Sequence, residues 1–203
     1  MVGIIDYGVG NLFSLCSSLR SLGQEVLVSG DSQELAKADR LILPGVGAFA
    51  DAAKKLRDTG LDQFVTQQVK EEKPLMGICL GMQMLFEKSF EYGEHSGLGL
   101  LSGQVIPMAG KIDPALKVPH MGWNQLQKTN PRSRLLADIR DGEYVYFVHS
   151  YYAAGCEASL AAISDYSIPI TAAVEKGNVF GCQFHPEKSG EVGLRILKRF
   201  CEL

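Results

Sequence analysis

No stretch of this chain approaches the run of about 18 consecutive apolar residues that a membrane-spanning helix needs. Nor is there a surplus of cations. Lys and Arg total 20 against 23 Asp and Glu, a formal charge of −3, which leaves no broad basic footprint for nucleic acid. The N-terminus has no basic segment, Arg20 being the first cation, so no cleaved export signal is expected and a cytoplasmic protein is. Paired cysteine motifs are missing too. Cys16, Cys79, Cys156, Cys182 and Cys201 are odd in number and show no CxxC spacing, and no HExxH occurs. That argues for reduced thiols and against both a disulfide framework and a zinc site. Repeats, low-complexity tracts and long linkers are absent. What remains is 203 residues, 46% of them hydrophobic and 21% charged, with mean hydropathy of +0.03, which suits one compact domain spanning 1–203.

The first eighty residues alternate two periodicities. Strands are expected at 2–5, 25–28, 40–43 and 74–78. Between them fall helical stripes: Leu12 to Leu22 behind Asn11, a suitable N-cap, Phe49 to Gly60, Leu61 to Val69, and a further helix around Met82 to Glu87. Strand alternating with helix implies βαβ units, hence an α/β fold with a mostly parallel central sheet and helices on both faces. The second half holds short β-prone pieces at 104–106, 144–148, 160–163, 170–174 and 179–183, which suggest a smaller antiparallel or mixed sheet extension. A helix behind Ser189, with Val192, Ile196, Leu197 and Phe200 on one side, is expected to close the chain.

The sharpest local feature is Gly77-Ile78-Cys79-Leu80-Gly81, a cysteine at the junction of a buried strand and a helix, in the form of a nucleophile elbow. Small neighbours permit the tight turn, and a helix N-terminus favours thiolate. The N–H of Leu80 would be one oxyanion donor, and the glycine-rich Pro44-Gly45-Val46-Gly47 turn could supply a second. A thiolate doing acyl chemistry needs a base. His185 leads, because an extended Gln183-Phe184-His185-Pro186-Glu187 segment would put His185 and Glu187 on one side. The plainer alternatives are a buried structural cysteine and a histidine that only bonds its own loop. Gly8-Val9-Gly10-Asn11 lacks the third glycine of a dinucleotide fingerprint. Cys16 and Cys201 sit on apolar helical stripes and read as core; His120 and His149 have no sequence-derived role and read as structural.

Taken together, Pro44-Gly45-Val46-Gly47, Gly77-Ile78-Cys79-Leu80-Gly81-Met82-Gln83 and Phe184-His185-Pro186-Glu187 resemble the class I (triad) glutamine amidotransferases over the whole chain. The resemblance implies a flavodoxin-like α/β fold, no cofactor, no metal, and L-glutamine as substrate. It implies Cys79 as nucleophile, His185 as base and acid, and Glu187 as its partner. Val46, Gly47 and Leu80 become oxyanion donors, and Gly47, Gln83, Glu91 and the backbone of His149, Ser150 and Tyr151 become the glutamine contacts. Within the family, Asp6-Tyr7-Gly8-Val9-Gly10-Asn11, Pro119-His120-Met121-Gly122-Trp123-Asn124 and Phe147-Val148-His149-Ser150-Tyr151 are similar to members serving histidine biosynthesis. These pass ammonia to a separate (β/α)8-barrel cyclase as a heterodimer, which would meet Asn11, Trp123, Tyr146 and Lys188. No nucleic-acid or membrane partner is implied. Open alternatives are a triad amidotransferase of the pyridoxal phosphate or anthranilate pathway, a cysteine hydrolase or peptidase on a similar elbow, and a non-catalytic domain that kept the fold.

Overall fold

Apolar tetrapeptides with no polar face must be covered on both sides, and two such runs, Val2–Ile5 and Leu75–Ile78, are fully buried strands here. The computed structural model describes all 203 residues. The order through the first part is β1 (Val2–Ile5), α1 (Leu12–Ser21), β2 (Val26–Ser29), α2 (Ser32–Leu35), β3 (Arg40–Leu43), α3 (Phe49–Asp58), α4 (Leu61–Lys70), β4 (Leu75–Ile78) and α5 (Leu80–Met84). Then come β5 (Phe86–Ser89), β6 (His95–Ser96), β7 (Leu101–Pro107), β8 (His120–Gln125), β9 (Gln127–Lys128), β10 (Tyr144–His149) and β11 (Tyr151–Ala154). β12 (Leu160–Asp165), β13 (Pro169–Lys176), β14 (Val179–Cys182) and α6 (Gly190–Glu202) complete the chain.

The central sheet has eight strands in the order β2-β1-β3-β4-β14-β13-β12-β9. It is parallel from β2 to β14, and β13, β12 and β9 continue it antiparallel. Part of the expected extension is therefore the far half of the main sheet. The remainder is a mixed sheet, β11-β7-β5-β6, and a separate ribbon, β10-β8. Leu15 and Leu19 of α1 and Ile196 and Phe200 of α6 pack on one face against Ile4, Met76 and Phe180. Phe49, Leu56 and Val65 of α3 and α4 cover the other, against Ile5, Leu43 and Leu75.

Three expectations are corrected. The helix around Met82 to Glu87 stops at Met84 and Phe86 opens a strand; residues 80–86 are buried on every side, so hydrophobicity carries no period there. His120–Gln125, outside the expected β-prone pieces, is a strand whose inward positions are His120, Gly122 and Asn124 rather than apolar residues. Asn11 and Ser189 stand at helix N-termini without accepting a capping bond: Asn11 Nδ2 donates to Ser14 Oγ at 3.1 Å. Ser189 Oγ instead donates to His185 O at 2.6 Å and accepts from the Tyr146 N–H at 3.0 Å, fastening α6 to the ribbon.

Candidate active site

β4 delivers Cys79 to the carboxyl edge of the parallel sheet, where an α/β fold leaves its crevice. Cys79 has φ 54° and ψ −111°, a left-handed backbone unusual for a residue with a Cβ, and its N–H donates to Cys182 O at 2.7 Å. Strain of this kind costs about 1–3 kcal/mol and persists only where the surroundings impose it. Gly81 is one imposing element. A Cβ at that position would overlap the Leu43 carbonyl, so only glycine lets α5 sit against the end of β3.

Leu80, the residue after the cysteine, donates its N–H to Gly45 O at 3.3 Å. The 44–47 turn is tied a second time by Tyr7, whose buried hydroxyl donates to Pro44 O at 2.8 Å. Burial, with the neighbouring Cys79, raises the Tyr7 pKa and keeps that hydroxyl protonated as a donor.

His185 follows β14, its N–H bonded to Tyr146 O at 2.9 Å. Its Nδ1 lies 2.8 Å from Glu187 Oε1, both side chains being almost wholly buried. The expected extended segment is replaced by one turn of 3₁₀ helix, Pro186–Lys188, which folds Glu187 back beneath the ring. His185 Nε2 is buried with no hydrogen-bond partner. Burial works against charge on the ring, but the Cys79 sulfur and the Glu187 carboxylate outweigh it and push its pKa up to about 9.

One cavity of about 300 Å³ brings Cys79 and His185 together with Val46, Gly47, Leu80, Gln83, Glu91, His149, Ser150 and Tyr151. A slightly larger hollow, about 350 Å³, lies against α3, α4 and Met84 and includes none of these residues. Gln83 Nε2 donates to Tyr151 O and to Gln183 Oε1, both at 3.0 Å, so a ligand would meet its carbonyl oxygen. Glu91 Oε2 accepts the Phe49 N–H at 2.5 Å at the start of α3. Pro119 and Val148 complete the lining, and Val148 O is 3.9 Å from Cys79 Sγ.

Trp123, 55% exposed, meets Tyr146 edge to face at 6.0 Å, and Lys188 Nζ lies 6.0 Å from the Tyr146 ring. Asn11 shares a small hollow with His185 and Glu187 on the same side of the molecule as the 44–47 turn. Met121 (61% exposed) stands on the outer face of β8 with Trp123, and Tyr144 on the paired β10; sequence reasoning did not single out either. It also gave no role to Tyr7 or Gln183, whose partners lie far away in the chain.

The arrangement suits acyl transfer: a thiol on a strained elbow, a paired imidazole and a cavity sized for a small amino acid. A family model described as glutamine amidotransferase class-I matches residues 3–202. The chain is 51% identical over 206 residues to the imidazole glycerol phosphate synthase subunit HisH of Geobacillus sp. (strain WCH70), covering 100% of this chain and 97% of that protein. It is 50% identical over 206 residues to the protein of the same name from Bacillus subtilis (strain 168), covering 100% and 96%. Among solved structures, a crystal structure of glutamine amidotransferase is similar with TM-score 0.77 and 22% identity, over 99% of this chain and 97% of that one. PurLQS from Thermotoga maritima gives TM-score 0.74 and 22% identity over the same shares, 99% and 97%.

Proposed function

The chain belongs to the class I glutamine amidotransferases, and from that premise we propose that it is the glutaminase subunit of an imidazole glycerol phosphate synthase, one domain over 1–203 that supplies ammonia for histidine biosynthesis. Full-length relatives of that name, half identical in sequence, carry the reading. Five free, buried cysteines suit the reducing cytoplasm.

The Cys79 thiolate attacks the side-chain amide carbon of glutamine, and the carbonyl electrons move onto oxygen. As the tetrahedral adduct collapses, the C–N bond breaks and His185 gives its proton to the departing ammonia, leaving a glutamyl thioester. A pKa pushed up to about 9 means that His185 holds that proton at neutral pH. Water then loses a proton to His185 and attacks the thioester carbonyl. The C–S bond breaks, glutamate departs and the thiolate is restored. Glu187 holds the ring by Nδ1 throughout, aiming the unpartnered Nε2 at the reacting atoms. Gln83, Glu91 and the backbone at 149–151 hold glutamine.

N–H groups of Leu80 and of Val46 or Gly47 stabilise the oxyanion. Because the Leu80 N–H is bonded to Gly45 O in the free chain, the 44–47 turn must release it first. Gly47, at φ 96°, already has the backbone freedom such a turn needs. Docking of the cyclase is the trigger in this reading, and it also receives the ammonia, which free in neutral water would be protonated and lost as a nucleophile. The partner is a (β/α)8-barrel subunit bound as a heterodimer over Asn11, Trp123, Tyr146 and Lys188.

Cys79→Ala tests the assignment. Glutamine-supported synthesis by the assembled complex should fall by at least about 10³-fold, while synthesis from added ammonium persists. Glutamine turnover surviving the substitution would remove Cys79 as the nucleophile.

A further inference from the structure

The imidazoles of two buried histidines, His120 and His149, take no part in the chemistry above, yet the two residues face one another as the end pair of β8 and β10. Their protons can be placed from both ends. The Tyr151 carbonyl only accepts, so His149 Nδ1, 2.9 Å from it, carries a hydrogen. At the far end, Asn124 Oδ1 accepts the Gln125 N–H at 2.8 Å and Asn124 Nδ2 donates to Asp165 O at 2.7 Å. The same Nδ2 lies 3.3 Å from His120 Nε2, which must therefore accept. His120 then carries its hydrogen on Nδ1, 3.0 Å from His149 Nε2, the one nitrogen left to receive it.

One assignment satisfies every contact: two neutral imidazoles, both protonated at Nδ1, with all donors pointing from Asn124 towards Tyr151. Burial acts in the same direction. It holds the pKa of His120 down to about 4, and that of His149 down to about 3, where the nearby His120 and His185 add to the effect. The His120 ring cannot swing out of line, being stacked between Phe147 at 4.7 Å and Tyr166 at 4.1 Å.

Tyr151 O is the node where this chain meets the cavity. It also accepts from Gln83 Nε2, which in turn donates to Gln183 Oε1, and Gln183 Nε2 faces Cys79 Sγ at 3.9 Å. We infer that Asn124, His120 and His149 form a neutral positioning relay that fixes the Val148–Tyr151 wall of the glutamine cavity from the ribbon beneath Met121 and Trp123. The inference rests on the glutaminase reading and adds side chains that act through the wall: Asn124 and His120 stand outside the cavity lining, and His149 joins them through its imidazole.

The wild-type complex labelled with ¹⁵N-histidine tests the proton assignment directly: His120 and His149 should both report neutral rings protonated at Nδ1 at neutral pH. An imidazolium, or an Nε2–H tautomer at either residue, would overturn the relay. In the same complex, His120→Phe keeps a stacked ring and deletes the donor. The KM for glutamine should rise about tenfold with kcat within about twofold, and ammonium-supported synthesis should be unchanged. His120→Asn, which returns an N–H near the position of Nδ1, should recover most of the loss in KM. An unchanged KM in His120→Phe, or no recovery in His120→Asn, would overturn the proposal. Failure of the wild-type complex to use glutamine would instead sink the glutaminase reading, and the ¹⁵N result would still stand on its own.

Discussion

Glu187 meets His185 through a single contact, Nδ1 to Oε1 at 2.8 Å, and does so out of reach of water. Glu187→Gln keeps an acceptor there and removes the charge. Since the carboxylate helps to hold the ring's pKa up, the variant ring loses its proton at lower pH than the wild type. In the proposed mechanism the proton for the departing ammonia is present only below that pKa, so the alkaline limb of kcat/KM should move to lower pH. The rate at neutral pH should drop about 10²-fold, read from a pH profile of glutamine hydrolysis. That Cys79, His185 and Glu187 lie together was legible in the sequence, because acyl chemistry needs those residue types beside strand ends and glycines. Tyr7 and Gln183 were not. A tyrosine that donates to Pro44 and a glutamine placed between Gln83 and Cys79 act through contacts that only the folded sheet creates.

Between β4 and α5 the elbow depends on absent side chains. Gly81→Ala would drive a Cβ into the Leu43 carbonyl, a backbone atom with no freedom to retreat. The loss of stability should reach about 4 kcal/mol or more, visible as a lowered denaturant midpoint. Gly60→Ala offers the contrast: the space is open, and only the left-handed backbone at φ 72° is penalised, by about 1–2 kcal/mol. At this scale, legibility followed burial geometry. α3 and α6 bury one stripe each and were readable from it; β8 hides histidine, glycine and asparagine on its inner side, and a strand without apolar alternation gives no signal.

Across the whole molecule, the sheet order sets Cys79 just after β4 beside His185 beyond β14, two neighbouring parallel strands whose connection spans the entire mixed sheet and ribbon. That ribbon carries the exposed aromatics of the proposed partner face. Trp123→Ala should weaken assembly with the cyclase by about 2 kcal/mol, roughly 30-fold in Kd, because large aromatics at the centre of an interface dominate its affinity. Titration calorimetry reads this directly, and the melting temperature of the free chain should not change, since Trp123 is 55% exposed. The α/β architecture was readable from alternating periodicities; the merging of its antiparallel half into the main sheet was not, because strand order depends on pairings between distant segments.

The bond from the Leu80 N–H to Gly45 O has a meaning for the cell as well as for the chemistry. Glutamine is a shared nitrogen donor, and a subunit made in excess of its partner would drain it to no end. On the proposed mechanism, with the Leu80 N–H occupied by its own backbone, an unassembled chain would idle, and surplus copies would leave the nitrogen supply intact.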